Sequence, residues 1–277
     1  MPSDPALTAR WSTAAPYWDQ HRAIIREMFA PVTQALVDDA QVRHSAAVLD
    51  VATGPGEPAL SIAALVGPEG KVAGIDHAPE MVASARRAAE AQGYTNARFE
   101  VASADRLPFD AATFDAVVSR FGAMFFPSPV GAVGEMLRVL KPGGKLALAV
   151  WRSAEDNPFF HVLQQAVDRY FDSTPDVQDT FRFSDFGKLR DILGEAGALA
   201  PAERRLSFTI HARVSAEEFW TMRCQMSQTL REKVAMLSPD RLAEARRDAL
   251  AALHAYSNGS GLDLPAQVLI VSGARPA

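Results

Sequence analysis

Residues 48–56 have the sequence VLDVATGPG, and residues 74–76, which follow a helix-like run, have the sequence GID. The first segment is an apolar strand that ends in a glycine-containing turn, and the second is an apolar strand that ends in an acid. Glycines let the backbone approach a ligand closely, and an acid at a strand end accepts hydrogen bonds from ribose hydroxyls. This order predicts a nucleotide-bearing cofactor lying across the carboxyl ends of parallel strands.

Strands and helices alternate between residues 46 and 150. Apolar segments predict strands at 47–51, 71–75, 98–101, 114–119 and 145–150, and helices at 59–66, 79–92 and 130–140. Nearly continuous apolar strands that alternate with helices indicate an α/β fold, in which helices cover both faces of a parallel sheet. The sequences GPEG at 67–70 and KPGG at 141–144 predict turns that lead into the next strands.

The flanking segments predict an added cap and an insertion. Residues 5–40 carry aromatic and apolar residues at helical spacing, which predicts one or two cap helices. After residue 150 we expect a loop and a helix at 151–170, a loop at 171–184, a helix at 186–195, a strand at 205–212, a helical block at 215–256 and a strand at 267–273. Because strands return after the block, we expect one domain over 1–277. It comprises a cap (1–44), a cofactor-binding core (45–152) and substrate-side helices with the last two strands (153–277).

Composition excludes several classes of protein. The chain has 277 residues, a formal net charge of −5 and a single cysteine, Cys224. One cysteine excludes internal disulfides and a Cys-rich metal site, and the acidic balance disfavours nucleic acid. No apolar segment approaches the roughly 20 residues that span a bilayer, and residues 1–4 lack the features of a secretory signal. We expect a cytoplasmic protein with no membrane or nucleic-acid partner, either a monomer or a homodimer.

The residues around the first turn discriminate between cofactors. The third glycine of the dinucleotide fingerprint is missing, although Ala59 can fill its packing role, so a dehydrogenase stays open at this point. A carboxylate at Asp50 would repel a pyrophosphate on the turn but could receive the ammonium of an amino acid, directly or through a water. S-Adenosylmethionine has an ammonium there and no phosphate. The structural alternative is that Asp50 only caps the turn.

Three residues after the second strand are candidates for the adenosine. Asp76 is expected to bind both ribose hydroxyls, with N-capping of the next helix as its structural alternative. His77 could lie against one face of the adenine, or be a solvated loop histidine. Met81, one helical turn further on, could pack near the adenine, or be an ordinary core methionine.

Three further motifs follow in order: ASADRLPF at 102–109, FDAVV at 114–118 and VLKPGG at 139–144. With these, the chain resembles the class I S-adenosylmethionine-dependent methyltransferases over residues 45–152. Its pattern is most similar to the small-molecule branch that includes the ubiquinone/menaquinone-type C-methyltransferases. The resemblance implies a Rossmann-like, seven-stranded and mostly parallel sheet, in which the antiparallel last strand is inserted beside the sixth.

The resemblance also implies roles for matching residues. Asp50, Ala52, Gly54 and Gly56 would line the methionine and ribose region. Asp76 would bind ribose, and Ser103, Ala104 and Asp105 would face the adenine edge. Ser119, Arg120 and Phe121 would lie beside the sulfonium and the acceptor. The chain departs from the family at Ala52, which replaces a usual glycine, and at Ser103, which replaces a common aspartate. We include Tyr17, His77, Met81 and Arg120 in the predicted cofactor site, with Tyr17 closing over the cofactor.

The acceptor pocket is predicted from three parts of the chain. Its candidate walls are Tyr17, Trp18 and His21 from the cap; Arg120, Phe121, Met124, Phe125 and Phe126 after the fourth strand; and Trp151, Phe159, Phe160, His161, Trp220 and Met226 further on. Of these we select Trp18, Phe121, Phe125, Trp151 and Trp220. Much of this set could equally be ordinary core. Arg120 either binds an acidic acceptor or forms a structural ion pair.

No residue identifies itself as a catalytic base. His21, His161 and His211 are the candidates, and each could be an ordinary helix or strand histidine. No His-x-x-x-His pair or carboxylate cluster predicts a metal. The sequence therefore predicts methylation of carbon, oxygen or nitrogen in a small, apolar or aromatic metabolite. The alternatives are a nicotinamide-dependent dehydrogenase and a non-catalytic protein with the same fold.

Overall fold

The computed structural model describes residues 5–171 and 179–277, and its described strands form one seven-stranded sheet with the order β3-β2-β1-β4-β5-β7-β6. The strands are β1 (Ala47–Val51), β2 (Lys71–Asp76), β3 (Ala97–Val101), β4 (Phe114–Arg120), β5 (Leu140–Trp151), β6 (Leu199–Ala212) and β7 (Leu262–Ala274). Strands β1 to β5 pair in parallel, whereas β7 is antiparallel to both β5 and β6. The predicted Rossmann-like sheet with an antiparallel last strand is confirmed.

Helices surround this sheet in the described part of the chain. They are α1 (Pro5–Gln20), α2 (Arg22–Met28), α3 (Ala30–Asp39), α4 (Ala59–Val66), α5 (Pro79–Ala91), α6 (Pro129–Val139), α7 (Pro158–Asp168), α8 (Lys188–Glu195), α9 (Ala216–Met226), α10 (Gln228–Met236) and α11 (Pro239–Leu253). Short 3₁₀ turns occupy Ala123–Phe125, Asp179–Phe181 and His254–Tyr256. Among the residues described, these helices lack the length and unbroken apolar sequence that a bilayer crossing requires.

Local sequence explains where the central elements begin and end. Proline stands at the first position of α5 and of α6, where its missing N–H costs no helical hydrogen bond. Helix α4 ends at Gly67, whose φ of +74° favours glycine. Ser215 and Glu218 form a reciprocal capping box that starts α9. These signals are local, and the predicted positions of the central elements agree with the structure to within a few residues.

The N-terminal prediction needs correction. Residues 5–39 form three helices, and only α1 and α2 can act as a cap, because α3 packs on β4, β5 and β7. Its Val32 and Leu36 are completely buried. Apolar residues at helical spacing do not show which surface a helix covers, so the sequence did not separate the sheet-packing helix from the cap.

Several other boundaries differ from the prediction. Lys141–Gly144 was expected to be a turn, but it belongs to β5, whose register with β4 shifts at this point. The segment is paired all the same, because Gly143 and Gly144 exchange backbone hydrogen bonds with Arg275. Helix α8 begins at Lys188 rather than residue 186, since Gly187 precedes it with a φ of +88°. Strand β6 begins at Leu199, six residues before its predicted start.

The chain order of the elements brings the predicted motifs together. Strand β1 lies between β2 and β4. From β1 the chain adds β2 and β3 on one side and then crosses over to add β4 and β5 on the other side, so the strand order reverses at β1. In open α/β sheets, ligands bind outside the carboxyl ends of the strands at such a switch point. The helices α9, α10 and α11 lie between β6 and β7 in the chain, where the insertion was predicted.

Candidate active site

A single cavity opens at the carboxyl ends of β1, β2, β4 and β5, between the sheet and the helices α1, α2, α7 and α9. It brings together most of the predicted site residues. Those that line it are Trp18, Ala52, Gly54, Asp76, His77, Met81, Ser103, Ala104, Arg120, Phe121, Phe125 and Trp151. The other candidate walls found there are Met124, Phe126, Phe159, Phe160 and Met226.

Asp76 is the best-anchored polar residue of this cavity. One carboxylate oxygen accepts a hydrogen bond from the Gly54 N–H and the other accepts from the Ala78 N–H, each at 2.9 Å. Asp76 is only 6% exposed, and this burial raises the pKa of its carboxyl group. Each carboxylate oxygen has more than one lone pair, so both can still accept from a ligand hydroxyl. The structural and ligand-binding interpretations of Asp76 are therefore compatible.

His77 offers a second polar group on the same side. Its Nδ1 lies 3.5 Å from a carboxylate oxygen of Asp76. Its Nε2 is buried and has no hydrogen-bond partner among the residues that the structure describes. A buried polar atom without a partner is costly, so this nitrogen fits a site that a polar ligand completes.

The turn after β1 is shaped by backbone conformation. Gly54 has a φ of +56°, and Ala52 has a φ of +60°, which is rare for a residue with a side chain. The methyl group of Ala52 is accommodated by Gly122, because a Cβ built on Gly122 would lie 2.5 Å from it. The substitution at the usual family glycine is therefore matched by an open space after β4.

The structure corrects the prediction for Asp50. Its side chain is completely buried and does not line the cavity. One carboxylate oxygen accepts from the Ala59 N–H at 3.1 Å, at the start of α4. Burial raises the pKa of this carboxyl group to about 7. Asp50 therefore holds the turn from beneath, which is the capping alternative, and cannot meet a ligand's ammonium directly.

Glu57 is the carboxylate that faces the cavity instead. It follows the last glycine of the turn and is 7% exposed, and its Oε2 accepts from the Ser61 hydroxyl at 2.6 Å. Arg22 also lines the cavity and donates to the Ser84 hydroxyl at 2.7 Å and to Asp19. The charges of Glu57 and Arg22 attract each other, and this attraction opposes the lowering of the Arg22 pKa by burial.

Arg120 lines the cavity but is held by the protein. Its guanidinium donates to the Thr33 hydroxyl at 2.9 Å and to the backbone oxygen of Glu57 at 3.3 Å. Burial lowers its pKa, and the nearby carboxylates of Glu57 and Asp50 oppose that effect. These contacts favour a structural role for Arg120, although its two hydrogen bonds go to a hydroxyl and a backbone oxygen rather than to a carboxylate.

Aromatic side chains form one wall of the cavity. Phe121 and Trp151 stack with ring centroids 4.2 Å apart and an angle of 10° between the ring planes. Phe29 contacts both rings edge-on at 5.4 and 5.6 Å. Trp11 contacts Phe125 edge-on at 5.2 Å. This wall suits a flat, apolar molecule, because such ring arrangements can be extended by a further aromatic group.

Besides Asp50, four residues of the predicted cofactor and acceptor sites lie outside the cavity lining. Gly56 packs beneath the turn, where a Cβ would lie 3.0 Å from Leu60. Tyr17 lies beside Arg231, whose guanidinium is 5.3 Å from its ring centroid. Asp105 and Trp220 are also absent from the lining, and Trp220 is buried within the packing of α9. Ser119, expected near the sulfonium, is buried and donates to the Val51 backbone oxygen at 2.7 Å.

The three candidate bases do not line the cavity either. His21 hydrogen-bonds to Gln225 at 2.7 Å, and the exposed His211 pairs with Asp263 at 2.7 Å. His161 has a buried Nδ1 that finds no hydrogen-bond partner within the described part of the chain, but it too lies outside the lining. Among the described lining residues, His77 is the only histidine. The described residues also contain no group of three or more potential metal ligands.

The lining residues that sequence reasoning missed include Trp11, Arg22, Phe29, Glu57 and Arg223. The first three had a detectable signal, because the lining positions 7, 11, 14, 18, 22, 25 and 29 recur every three or four residues. Tyr17 falls one position off this row, which explains why it faces elsewhere. Glu57 adjoined the motif, whereas nothing in the local sequence around Arg223 indicated its position.

Known proteins match the motif-bearing part of the chain. Residues 48–144 match the family described as "Methyltransferase domain". A demethylmenaquinone methyltransferase of Thermus thermophilus is 45% identical over 112 residues, which are 40% of this chain and 50% of that protein. The aklanonic acid methyltransferase DauC of a Streptomyces species is 36% identical over 121 residues, which are 44% of this chain and 55% of that protein. The chain thus spans about half the length of the curated relatives it matches.

A solved structure extends the likeness beyond that segment. The YcgJ protein from Bacillus subtilis aligns with a TM-score of 0.59 at 21% identity, over 90% of this chain and 99% of that one. At this identity the likeness shows a shared fold. Residues 48–144 are thus similar to a methyltransferase domain, and the chain shares its fold with this solved protein.

Proposed function

We propose that this protein transfers the methyl group of S-adenosylmethionine to a carbon, oxygen or nitrogen atom of a small, apolar or aromatic metabolite. The observation that carries the proposal is the continuity of the cavity, which joins the motif-bearing turn to the aromatic wall. The cofactor supplies an electrophilic methyl group, and the protein supplies alignment and electrostatics. A continuous cavity also argues against the non-catalytic alternative, for which a blocked acceptor pocket would be expected.

In this proposal the adenosine lies beside Asp76 and His77. The carboxylate oxygens of Asp76 keep their backbone hydrogen bonds and accept from the ribose hydroxyls as well. The unpartnered Nε2 of His77 gains a polar partner. Met81, Ser103 and Ala104 line the same side and suit the adenine.

Glu57 and Arg22 complete the methionine end. An amino acid is a zwitterion, so its binding site needs one anion and one cation close together. Glu57 and Arg22 both line the cavity and attract each other. We therefore assign the ammonium to Glu57, in place of Asp50, and the carboxylate to Arg22.

The acceptor would lie against Phe121, Trp151 and Phe125, with Trp18 closing the pocket from α1. Two relatives are named for demethylmenaquinone and aklanonic acid, which agrees with an acceptor of this general size and character. The division of the chain into one domain, its cytoplasmic location and its monomeric or dimeric state stay predictions.

Thermal unfolding with S-adenosylhomocysteine tests the proposal. A ligand at about 100 times its Kd stabilises the native state by about 2.7 kcal/mol, which corresponds to a rise of several degrees in Tm. We expect this rise for the wild type, a much smaller one for Asp76→Asn and His77→Ala, and the full rise for Asp110→Asn, an exposed control. NAD should give no rise.

Two variants are needed because Asp76→Asn also changes hydrogen bonds within the protein. Circular dichroism without ligand identifies any loss of folding, and His77→Ala leaves the bonds of Asp76 to the backbone intact. If S-adenosylhomocysteine did not stabilise the folded wild type, or if NAD stabilised it instead, the proposed function would be wrong.

A further inference from the structure

Arg223 is a buried cation on the acceptor side of the cavity. It lies in α9, is 6% exposed and lines the cavity. Its Nε donates to the backbone oxygen of Phe159 at 3.1 Å. Its guanidinium carbon lies 4.2 Å from the ring centroid of Phe159 and 5.3 Å from that of Phe160. The stem and one N–H of this side chain are therefore fixed by the protein.

The rest of the guanidinium has no partner among residues 5–171 and 179–277. No carboxylate in these ranges forms an ion pair with it, and no acceptor there bonds to its terminal nitrogens. Arg22 and Arg120 differ, since Arg22 pairs with Asp19, and Arg120 lies near Glu57 and Asp50. Arg10, a further cation of the lining, lies over the rings of Trp11 and Phe125. Burial lowers the pKa of Arg223 to about 10, so it is still a cation at neutral pH.

A buried charge without a counter-ion destabilises a folded protein. The protein nevertheless keeps this one at the edge of a cavity whose neighbouring walls are Trp151, Phe159, Phe160 and Met226. An anion entering the cavity would supply the missing partner. Because guanidinium is planar and donates two parallel N–H bonds, its best match is a carboxylate.

We propose that Arg223 is the anion-binding residue of the acceptor pocket and that the acceptor is an aromatic or conjugated carboxylic acid. The flat ring system would lie against the aromatic wall while the carboxylate meets the free edge of the guanidinium. Arg223 then positions the acceptor and takes no part in the bond changes. This inference rests on the proposed function, since it names the class of molecule that the same cavity accepts.

The carboxylate of the cofactor is the competing partner. Arg22 and Arg120 lie near Glu57 on the motif-bearing side, whereas Arg223 contacts Phe159 and Phe160 beyond the end of β5. Replacement of Arg223 therefore distinguishes whether it binds the carboxylate of the acceptor or that of the cofactor. An acceptor site loses affinity for aromatic acids, and a cofactor site loses affinity for S-adenosylhomocysteine.

The experiment compares 2-naphthoate with its neutral isostere 2-naphthamide. Each is titrated by calorimetry into protein saturated with S-adenosylhomocysteine. We expect the wild type to bind the naphthoate at least tenfold more tightly than the amide. Arg223→Met and Arg223→Gln should remove that preference, and Arg223→Lys should keep part of it. Arg231→Gln is the matched control, because Arg231 lies beside Tyr17 outside the cavity.

Affinity for S-adenosylhomocysteine in each variant separates the outcomes. It should stay within twofold of the wild type, which also shows that the variants are folded. Equal binding of the two naphthalenes, no binding of the naphthoate at millimolar concentration, or an unchanged preference in Arg223→Gln would overturn the inference. A tenfold loss of S-adenosylhomocysteine affinity in Arg223→Gln would also overturn it, in favour of the cofactor's carboxylate. Failure of the wild type to bind S-adenosylhomocysteine would instead contradict the proposed function.

Discussion

The two walls of the cavity are held in place by different forces. The wall that we propose for the cofactor, the cofactor wall, consists of a turn with two left-handed residues, Ala52 and Gly54, and of Asp76, which accepts a hydrogen bond from the turn backbone. The wall that we propose for the acceptor, the acceptor wall, consists of side chains from distant helices, such as Trp11 and Arg223, that meet around the stacked pair Phe121 and Trp151. The first wall is fixed by backbone conformation and the second by side-chain packing.

This difference indicates which properties a substitution can change. A change in the cofactor wall alters backbone geometry at the ends of several strands, so we expect large effects on folding and cofactor binding together. A change in the acceptor wall replaces one side chain among several that line the same space. Such changes can alter the preferred acceptor while the sheet and its cofactor turn stay intact.

The largest effect is expected beneath the cofactor wall, at Asp50. Burial raises its folded-state pKa to about 7, whereas the unfolded value is 3.8. The folded state therefore binds this proton more tightly than the unfolded state. The stabilisation of the fold by protonated Asp50 is complete below pH 4 and is lost as the pH rises through 7. The full difference amounts to about 4 kcal/mol. In Asp50→Asn, which cannot titrate, the free energy of unfolding should fall less between pH 5 and pH 8 than in the wild type.

Urea denaturation across this pH range measures the effect, with Asp110→Asn at an exposed position as the control. The nearby groups are Thr53, Arg120 and Glu57, which the substitution leaves in place. A difference between wild type and Asp50→Asn that does not change with pH would show that Asp50 has an ordinary pKa in the folded protein.

The cofactor wall was also the part that the sequence predicted best. Strand, turn and acid are encoded within about thirty consecutive residues, and the register of β1 with β2 brings Asp76 beside the turn. What the motif did not show was which carboxylate lines the cavity. Asp50 and Glu57 stand on either side of the glycines, and only the path of the backbone decides that Asp50 points beneath the turn and Glu57 into the cavity.

The acceptor wall was predicted as a set of candidates rather than as a geometry. Trp18, Phe121 and Trp151 do line the cavity, but Trp220 and Tyr17 do not, although they have the same apolar and aromatic character. Their positions depend on how α1 and α9 pack against each other and against the sheet. These contacts join residues about two hundred positions apart, and no local pattern encodes them.

An intermediate effect is expected where the two walls meet, at Gly122. Its φ of −95° is ordinary, so an alanine there would be opposed only by contacts, with Ala52 Cβ at 2.5 Å and Ser119 Oγ at 2.7 Å. Overpacking of this kind costs about 1–3 kcal/mol. Ala52→Gly removes one contact and a strained φ, so we expect the double variant to recover part of the loss in urea denaturation.

Gly134→Ala is the matched control for this pair. Gly134 lies inside α6, and a Cβ there would meet nothing within 4 Å. It should stabilise the protein by up to about 1 kcal/mol, because alanine favours a helix over glycine. Two results would contradict the steric conflict between residues 52 and 122 that the distances indicate. One is a Gly122→Ala variant as stable as Gly134→Ala, and the other is no recovery of stability when Ala52→Gly is added to Gly122→Ala.

The smallest effect is expected in the acceptor wall, where Trp151 and Trp220 form a natural pair for comparison. They are 3% and 6% exposed, and only Trp151 lines the cavity, stacked on Phe121. Replacing either by phenylalanine should destabilise the fold to a similar extent. Aromatic pairs contribute about 0.5–1.5 kcal/mol, so Trp151→Phe should weaken 2-naphthoate binding about three- to tenfold.

Calorimetry with 2-naphthoate and with S-adenosylhomocysteine checks this prediction in both variants. Trp220→Phe should leave both affinities within twofold of the wild type, and Trp151→Phe should change only that for the naphthoate. Equal losses in the two variants would mean that the aromatic acid responds to the stability of the helical layer rather than to contact with Trp151. A loss of S-adenosylhomocysteine affinity in Trp151→Phe would show that the two walls are mechanically coupled, because Phe121 connects the stacked pair to the strand that ends beside the cofactor turn.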